Sequence, residues 1–400
     1  MDRRKFLIKR IPRPLGQGSS FHTKIMEKRM RKSVLFDNMP NRRMFLGALT
    51  GGIVGVSACA RKRSTGIKAQ SGAKPLPIPR NRKVIFRTGS DRRQVITNAL
   101  IPLQSEVAKA ISDKQVIVKV NCGLVDPQYV DCSTHADEIR AILDFLEPIY
   151  DRQILISEGT ASKMSPIASA YENYGYLPLQ KEYNNIKFID ANDQQTNRIF
   201  IRAAKQHPVA INVIAPYMDP NVYLISAARM KTHNCVVGTF SLKNVVMGSP
   251  QCRYWDKNSS DKSDKPKMHG GQGLPESGSG RDLSYNMFTL ALAGVRPDLA
   301  VIDGVQSIEG NGPWNGDVVD HGVVVASTDF VAADRLCTEL IGIDPFYMKY
   351  LEWCGNAGMG NWNMSKINVD GPNYKDYVIK YKLNKNVENQ IAWIDRNFER

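Results

Sequence analysis

The chain has 400 residues with 54 Lys and Arg against 39 Asp and Glu, and its hydrophobic fraction of 42% excludes both a disordered tail and a multispanning membrane protein. Seven cysteines are too few for a disulfide scaffold at this length, so stability has to come from packing in one large or two modest domains. The net charge of +15 is unevenly placed: the first 93 residues hold 24 Lys and Arg against 4 acids, and the other 307 hold 30 against 35. A basic leader on a near-neutral body argues for targeting and against nucleic-acid binding.

The leader, residues 1–59, carries Arg42 and Arg43 ahead of Met44, Phe45, Leu46 and an uncharged stretch to Ala58. This is the pattern of a twin-arginine export signal whose apolar run, at about 15 residues, is too short to span as a permanent helix. Val56, Ser57, Ala58 and Cys59 form a lipobox, which predicts acylation of Cys59. An uncleaved N-terminal anchor stays open as the alternative. Arg3 and Arg4 lack a following apolar run because Pro12, Arg13 and Pro14 interrupt it, so residues 1–38 are set aside. The expected partners are the twin-arginine export machinery and a membrane, with the folded part on the periplasmic or outer-surface side. Residues 60–82, ending in Pro75, Pro77 and Pro79, read as a tether, and the domain is expected over 83–400.

Twin-arginine export is used by proteins that fold before crossing, so a metal ion or organic cofactor is a natural companion. Its identity is not legible. Cys122, Cys132, Cys235, Cys252, Cys337 and Cys354 contain no CxxC pair, which gives no pattern for an iron–sulfur cluster or zinc ribbon and predicts buried, inert thiols.

Apolar runs alternate with helical periodicity along the body. Gln115–Val120, Gln153–Ser157, Val222–Ser226, Leu299–Asp303 and Gly322–Ala326 read as strands. Thr134–Tyr150, Leu283–Gly294 and Phe330–Ile341 read as helices, the first with Ile139, Ile142, Leu143, Leu146 and Ile149 on one face. Strands apolar on both faces predict an α/β fold with a mostly parallel sheet flanked by helices. Residues 254–282 are polar and rich in Gly and Ser, and predict a long insertion loop that is a lid, a binding loop or disordered.

In such sheets ligands bind beyond the carboxyl ends of the strands, which selects five junctions. The first holds Lys119 and Asn121, followed by Thr134, expected to cap a helix with Asp137, and by His135, a candidate base. The second is Glu158 with Gly159 and Thr160. The third and densest is Arg229 to His233 with Thr239, Ser241, Lys243 and Asn244: two lysines to neutralise an anion and one histidine to move a proton. The fourth is Asp303 and Gly304 with Glu309, Gly310, Asn311, Gly312 and Pro313, whose spacing is neither a dinucleotide nor a nucleoside-triphosphate loop. The fifth is Ser327 to Asp329 with Asp334 around a helix start, where capping competes with function. HExxH, GxSxG and EF-hand patterns are missing, which disfavours the common hydrolases and zinc proteases.

Taken together, Lys119 to Asn121, Thr134 with His135, KTH at 231–233, SLKN at 241–244, DG at 303–304 with EGNGP at 309–313, ASTD at 326–329 and Gly342 resemble the exported branch of the domain of unknown function 362 family. The motifs span about residues 115–345 in the family's order. The resemblance implies a fold more than an activity. Some relatives carry a cysteine-rich ferredoxin-like segment, which this chain lacks. The layout is also similar to the N-terminal domain of lactate-racemase-like enzymes, which implies histidine bases and a cofactor-holding lysine at His135, His233 and Lys231 or Lys243.

The sequence therefore predicts a membrane-tethered extracytoplasmic enzyme acting on a small anionic substrate, of oxidoreductase or isomerase and racemase type. Its catalytic candidates are His233, His135, Lys231 and Lys243. Its binding candidates are Lys119, Asn121, Glu158, Thr239, Asn244, Asp303, Glu309, Asn311 and Asp329, with the last three acids able to suit a hard cation and His233 a transition metal. The competing expectation is a lipoprotein that binds such a ligand without transforming it.

Overall fold

The computed structural model describes residues 74–75, 83–161, 165–203, 207–253, 263–270 and 279–394. Arg42, Arg43, Cys59 and nearly all of the 60–82 segment lie outside these. Within that segment Lys74 is buried and pairs with Asp298 at 2.6 Å, and Arg296 donates to the Lys74 carbonyl at 3.1 Å. No helix among the described residues is long and apolar enough to cross a membrane.

In chain order the elements are β1 (Lys83–Thr88), α1 (Arg92–Leu100), α2 (Gln104–Ile111), β2 (Gln115–Lys119), α3 (Ala136–Leu146), β3 (Ile154–Glu158), α4 (Ile167–Asn173), α5 (Leu179–Glu182) and β4 (Ile186–Asp190). A two-stranded antiparallel ribbon follows, β5 (Thr196–Arg202) with β6 (Pro208–Ile214). Then come β7 (Val222–His233), β8 (Val237–Thr239), α6 (Ser241–Gly248), α7 (Ser279–Leu292), β9 (Leu299–Glu309), β10 (Asp317–Ser327), α8 (Phe330–Leu340), α9 (Lys349–Asn356), β11 (Asn368–Asp370) and α10 (Val387–Ile391).

The main sheet has nine strands in the order β11-β1-β10-β9-β7-β2-β3-β4, with β8 paired to β7. Five of its pairings are parallel and three antiparallel, so the fold is the mostly parallel α/β architecture the sequence predicts. Strand alternation explains why the strands read as unbroken apolar runs. Val116 and Val118 enter the core beneath α1 to α4, whereas Ile117 enters the core beneath α6 to α9, and Val324 and Val325 divide in the same way.

Three expectations need correction. The strand read as Val222–Ser226 continues to His233, and the strand read as Leu299–Asp303 continues to Glu309. Arg229 to His233 is therefore strand, in register with β9 and β8, and not a loop after a strand. Charged residues hide such an extension because helix and loop patterns expose them, whereas here Arg229, Lys231 and His233 are all buried. The 254–282 insertion is interrupted by a 3-10 helix at Lys265–His269 and ends early, at the start of α7. Asp264 anchors the insertion, accepting from the Asn212 amide of β6 at 2.7 Å.

β2 leads rightward to β3 and β4, and the chain then returns to place β7 on the other side of β2. The carboxyl ends of β2 and β7 thus flank a topological switch point. Helix α6 rises from this point without a side-chain cap at Phe240; instead the carboxylate of Asp334 on α8 accepts from the Ser241 and Leu242 amides, each at 3.0 Å. Replacing Asp334 by alanine orphans two buried donors and should lower stability by about 2–4 kcal/mol in urea unfolding.

Candidate functional site

At the switch point the buried Lys119 ammonium donates to Glu158 Oε2 at 2.8 Å, Asn244 Oδ1 at 3.1 Å and the Val120 carbonyl at 2.7 Å, which uses all three of its protons. Glu158 also accepts from the Cys122 and Gly159 amides at 3.2 and 2.9 Å. Burial lowers the Lys119 pKa and Glu158 opposes the effect. Asn244 ties the ends of both strands together, its amide donating to the carbonyls of Lys119 and Ala227. Lys119, Asn121, Glu158 and Asn244 are thus brought together, as a satisfied network that shapes the site.

Asn121 passes this order outward. Its amide nitrogen donates to Asn244 Oδ1 at 3.2 Å while its Oδ1 accepts from Lys231 at 2.9 Å. Lys231 donates a second bond to the Cys132 carbonyl at 2.6 Å and lies 5.6 Å from the Trp314 ring centroid, a cation–π distance. Burial lowers the Lys231 pKa to about 8. Thr239 faces Lys231 directly across the β7–β8 pairing.

Beyond Lys231 the character of the site changes. His233 Nδ1 accepts from the Cys235 amide at 3.0 Å, so in the neutral ring the proton sits on Nε2. Burial, followed by Lys243, His269 and Lys231, pushes the His233 pKa well below its ordinary value. Lys243, on the first turn of α6, is 8% exposed, and among the described residues its ammonium makes no hydrogen bond or ion pair. Burial lowers its pKa to about 7, with Lys231 and Lys265 adding to the shift and Cys235 opposing it. His269 follows the same logic: burial and then Lys243 bring it to about 4, and its Nδ1 is buried without a partner. Lys231 therefore presses on Lys243 and both press on His233, with no carboxylate pairing Lys243 among the described residues. Such a group can accept an oxyanion and keep a neutral imidazole ready to move a proton.

His135 and Asp303 belong to a second cluster. Asp303 Oδ2 accepts from Arg92 Nε at 2.9 Å and from Arg229 at 3.0 Å, and its Oδ1 caps the Val305 amide. His135, not Thr134, caps α3, its Nδ1 accepting from the Asp137 amide at 3.1 Å. Thr134 instead bridges the two switch-point strands, accepting from the Asn121 amide and donating to the Ala227 carbonyl. Burial, Arg92 and Arg229 lower the His135 pKa against Asp137 and Asp303. Beneath it Glu138 is fully buried, and no hydrogen bond of ordinary geometry reaches either oxygen, although the Ala228 backbone favours its ionised form. Burial and Asp303 raise its pKa well above the usual carboxylate range.

The remaining candidates hold other parts of the chain. Glu309 accepts from the Lys382 amide at 2.9 Å and its ammonium at 3.0 Å; burial would raise the Glu309 pKa, but these bonds win and lower it. Asn311 accepts from the Lys385 amide at 3.3 Å. The EGNGP motif thus pins the C-terminal segment, and Gly312 lets it lie on β7, since a Cβ there would stand 2.4 Å from the Thr232 carbonyl oxygen. Asp329 caps α8 through the Ala332 amide at 2.9 Å and accepts from the Asn361 amide at 2.9 Å. Asp303, Glu309 and Asp329 each hold separate partners, and no group of three His, Cys, Asp or Glu able to hold a metal ion occurs among the described residues. All six described cysteines are buried and none is in a disulfide, as expected.

Sequence reading missed His269, Trp314 and Glu138, whereas Asp334 was among the residues of the fifth junction. Glu138 had a signal, since it shares the buried face of α3 with Ile142 and Phe145. His269 had none, lying inside the polar insertion.

The chain matches the model of the domain of unknown function family DUF362 over residues 116–339, more than half its length. It is also 23% identical over 239 residues to the thylakoid-associated protein sll1697 of Synechocystis sp. (strain ATCC 27184 / PCC 6803 / Kazusa), an alignment covering 58% of this chain and 64% of that relative. The chain thus spans just under two thirds of that relative's length. No solved structure matches it. The matched span begins in β2 and ends in α8, enclosing the switch point and every residue of the lysine and histidine cluster, and the chain belongs to the DUF362 family.

Proposed function

We propose that the protein is an extracytoplasmic enzyme, tethered to a membrane through acylated Cys59, that binds a small anionic substrate at the switch point. Lys231 and Lys243 receive the anion and His233 is the acid–base group. One observation carries the reading: Lys243 is only 8% exposed and its ammonium has no acceptor among the described residues, beside two histidines and a second lysine. Leaving a cation unpaired costs several kcal/mol, and an anionic ligand would supply the missing partner. The name of the relative, thylakoid-associated, is in keeping with attachment to a membrane.

Calorimetric titration with phosphate and with oxalate tests the binding. The wild-type protein should bind at least one of them saturably, and Lys243→Met should weaken that binding by more than about tenfold, or ~1.4 kcal/mol. Failure of both anions to bind, or equal binding by Lys243→Met, would overturn the assignment. Once a substrate is in hand, His233→Gln should abolish turnover while the fold survives, and full activity in that variant would remove His233 from catalysis. Cys59→Ala should release the protein from the membrane fraction.

A further inference from the structure

The two lysines of the site are held in different ways, and the difference selects a class of substrate. Lys231 is a fixed cation: Asn121 Oδ1 and the Cys132 carbonyl each accept one of its protons, and the Trp314 ring lies against it. Two acceptors and an aromatic face favour the ammonium form and leave one N–H for a ligand. Lys243 has none of this among the described residues. Its amine projects from the first turn of α6 without an acceptor among the described residues, and burial, Lys231 and Lys265 disfavour a proton on it against the pull of Cys235. A buried amine beside other cations, with a large neutral fraction near pH 7, is the arrangement that turns a lysine into a nucleophile toward carbonyl carbon.

We propose that the substrate is a 2-oxo acid, that Lys231 holds its carboxylate, and that Lys243 forms an imine with the adjacent carbonyl carbon. The proposal rests on the anion site argued above and names its ligand class. In the step, the Lys243 nitrogen lone pair forms the C–N bond while the carbonyl π electrons move to oxygen. The two nitrogen-bound hydrogens leave as protons, the C–O bond breaks, and the oxygen departs with them as water. No oxidant, reductant or third reactant is needed. His233, with Nδ1 occupied by the Cys235 amide, offers Nε2 on its other side, and His269 has an unpartnered Nδ1; these are the neutral groups available to carry the protons. The resulting imine withdraws electrons from the neighbouring carbon, which is the activation a proton-transfer enzyme of the isomerase type requires.

Reductive trapping tests this on the full chain. The protein is incubated at pH 7 with pyruvate or 2-oxoglutarate, cyanoborohydride is added, and intact and peptide masses are read. The expected result is one equivalent of adduct, with a mass gain equal to the acid less one oxygen atom, on the peptide containing Lys243. Lys243→Arg keeps the positive charge but cannot form the imine, so it should still bind the acid in calorimetry while losing the adduct. Lys231→Met should keep the amine but need at least tenfold more acid for the same labelling. Saturable binding of the acid with no adduct, or adduct spread over other lysines and unchanged in Lys243→Arg, would overturn the imine and leave the anion site standing. Absence of binding by both oxo acids, phosphate and oxalate would overturn the two readings together.

Discussion

Replacing Lys119 by methionine should destabilise the protein by about 3–5 kcal/mol, the range for removing one partner of a buried ion pair. The variant leaves the Glu158 carboxylate buried with only the Cys122 and Gly159 amides to hold it, and takes a donor from Asn244 Oδ1. Because the loss is an orphaned charge and not missing packing, Lys119→Met with Glu158→Gln should recover part of it, with a coupling energy above ~1 kcal/mol in a double-mutant cycle. Gly248→Ala should mimic the single variant, since a Cβ there would lie 2.2 Å from Lys119 Cε and would force the lysine out of its network. Urea unfolding of wild type, Lys119→Met, Glu158→Gln, the double variant and Gly248→Ala checks the set; additive losses would mean that the pair is not coupled.

Lys243→Met should act in the opposite sense and raise stability at neutral pH by a few kcal/mol. The folded-state pKa of about 7 lies below the ordinary lysine value of 10.5, so the unfolded chain binds the extra proton and the native state carries a penalty. That penalty is complete below about pH 7 and disappears as pH rises from there toward 10.5. The advantage of the methionine variant should therefore be largest in mildly acidic buffer and fade on the alkaline side, with Lys231, at about 8, adding a parallel contribution in the wild type. A residue whose removal stabilises the fold and abolishes ligand binding has been kept for function. Thermal unfolding between pH 6 and 10 checks this; a variant less stable than wild type at every pH would contradict it.

Much of this arrangement was legible in the residues, and the limits have physical causes. Two-sided burial made β2, β3, the first half of β7, β9 and β10 readable as apolar runs, and polar residues beyond these runs marked Lys119, Glu158, Lys231, His233 and Lys243. The same reasoning could not tell which lysine is satisfied and which is not, because that depends on long-range partners: Asn244 for Lys119, and Asn121 with Cys132 for Lys231. Charged residues also disguised the far half of β7, whose Arg229 is buried only because Asp303 meets it from the neighbouring strand. Asp329 had capping as a stated competitor, and it does cap α8, whereas Glu309 and Asn311 hold a C-terminal segment for which the sequence offered no pattern. His269 reaches the site from an insertion whose composition predicted only a loop.

The proposed site turns on Lys243 being a readily deprotonated amine with no acceptor among the described residues. The measurement that reaches it most directly is a pH titration of the Lys243 13Cε resonance in lysine-labelled protein, assigned by difference from Lys243→Met, without and with oxalate. A midpoint of about 7 is expected in the free protein and a higher one with oxalate bound, since binding and protonation must favour each other reciprocally. A midpoint near ~10.4, the value of an unperturbed lysine, unmoved by oxalate, would contradict it.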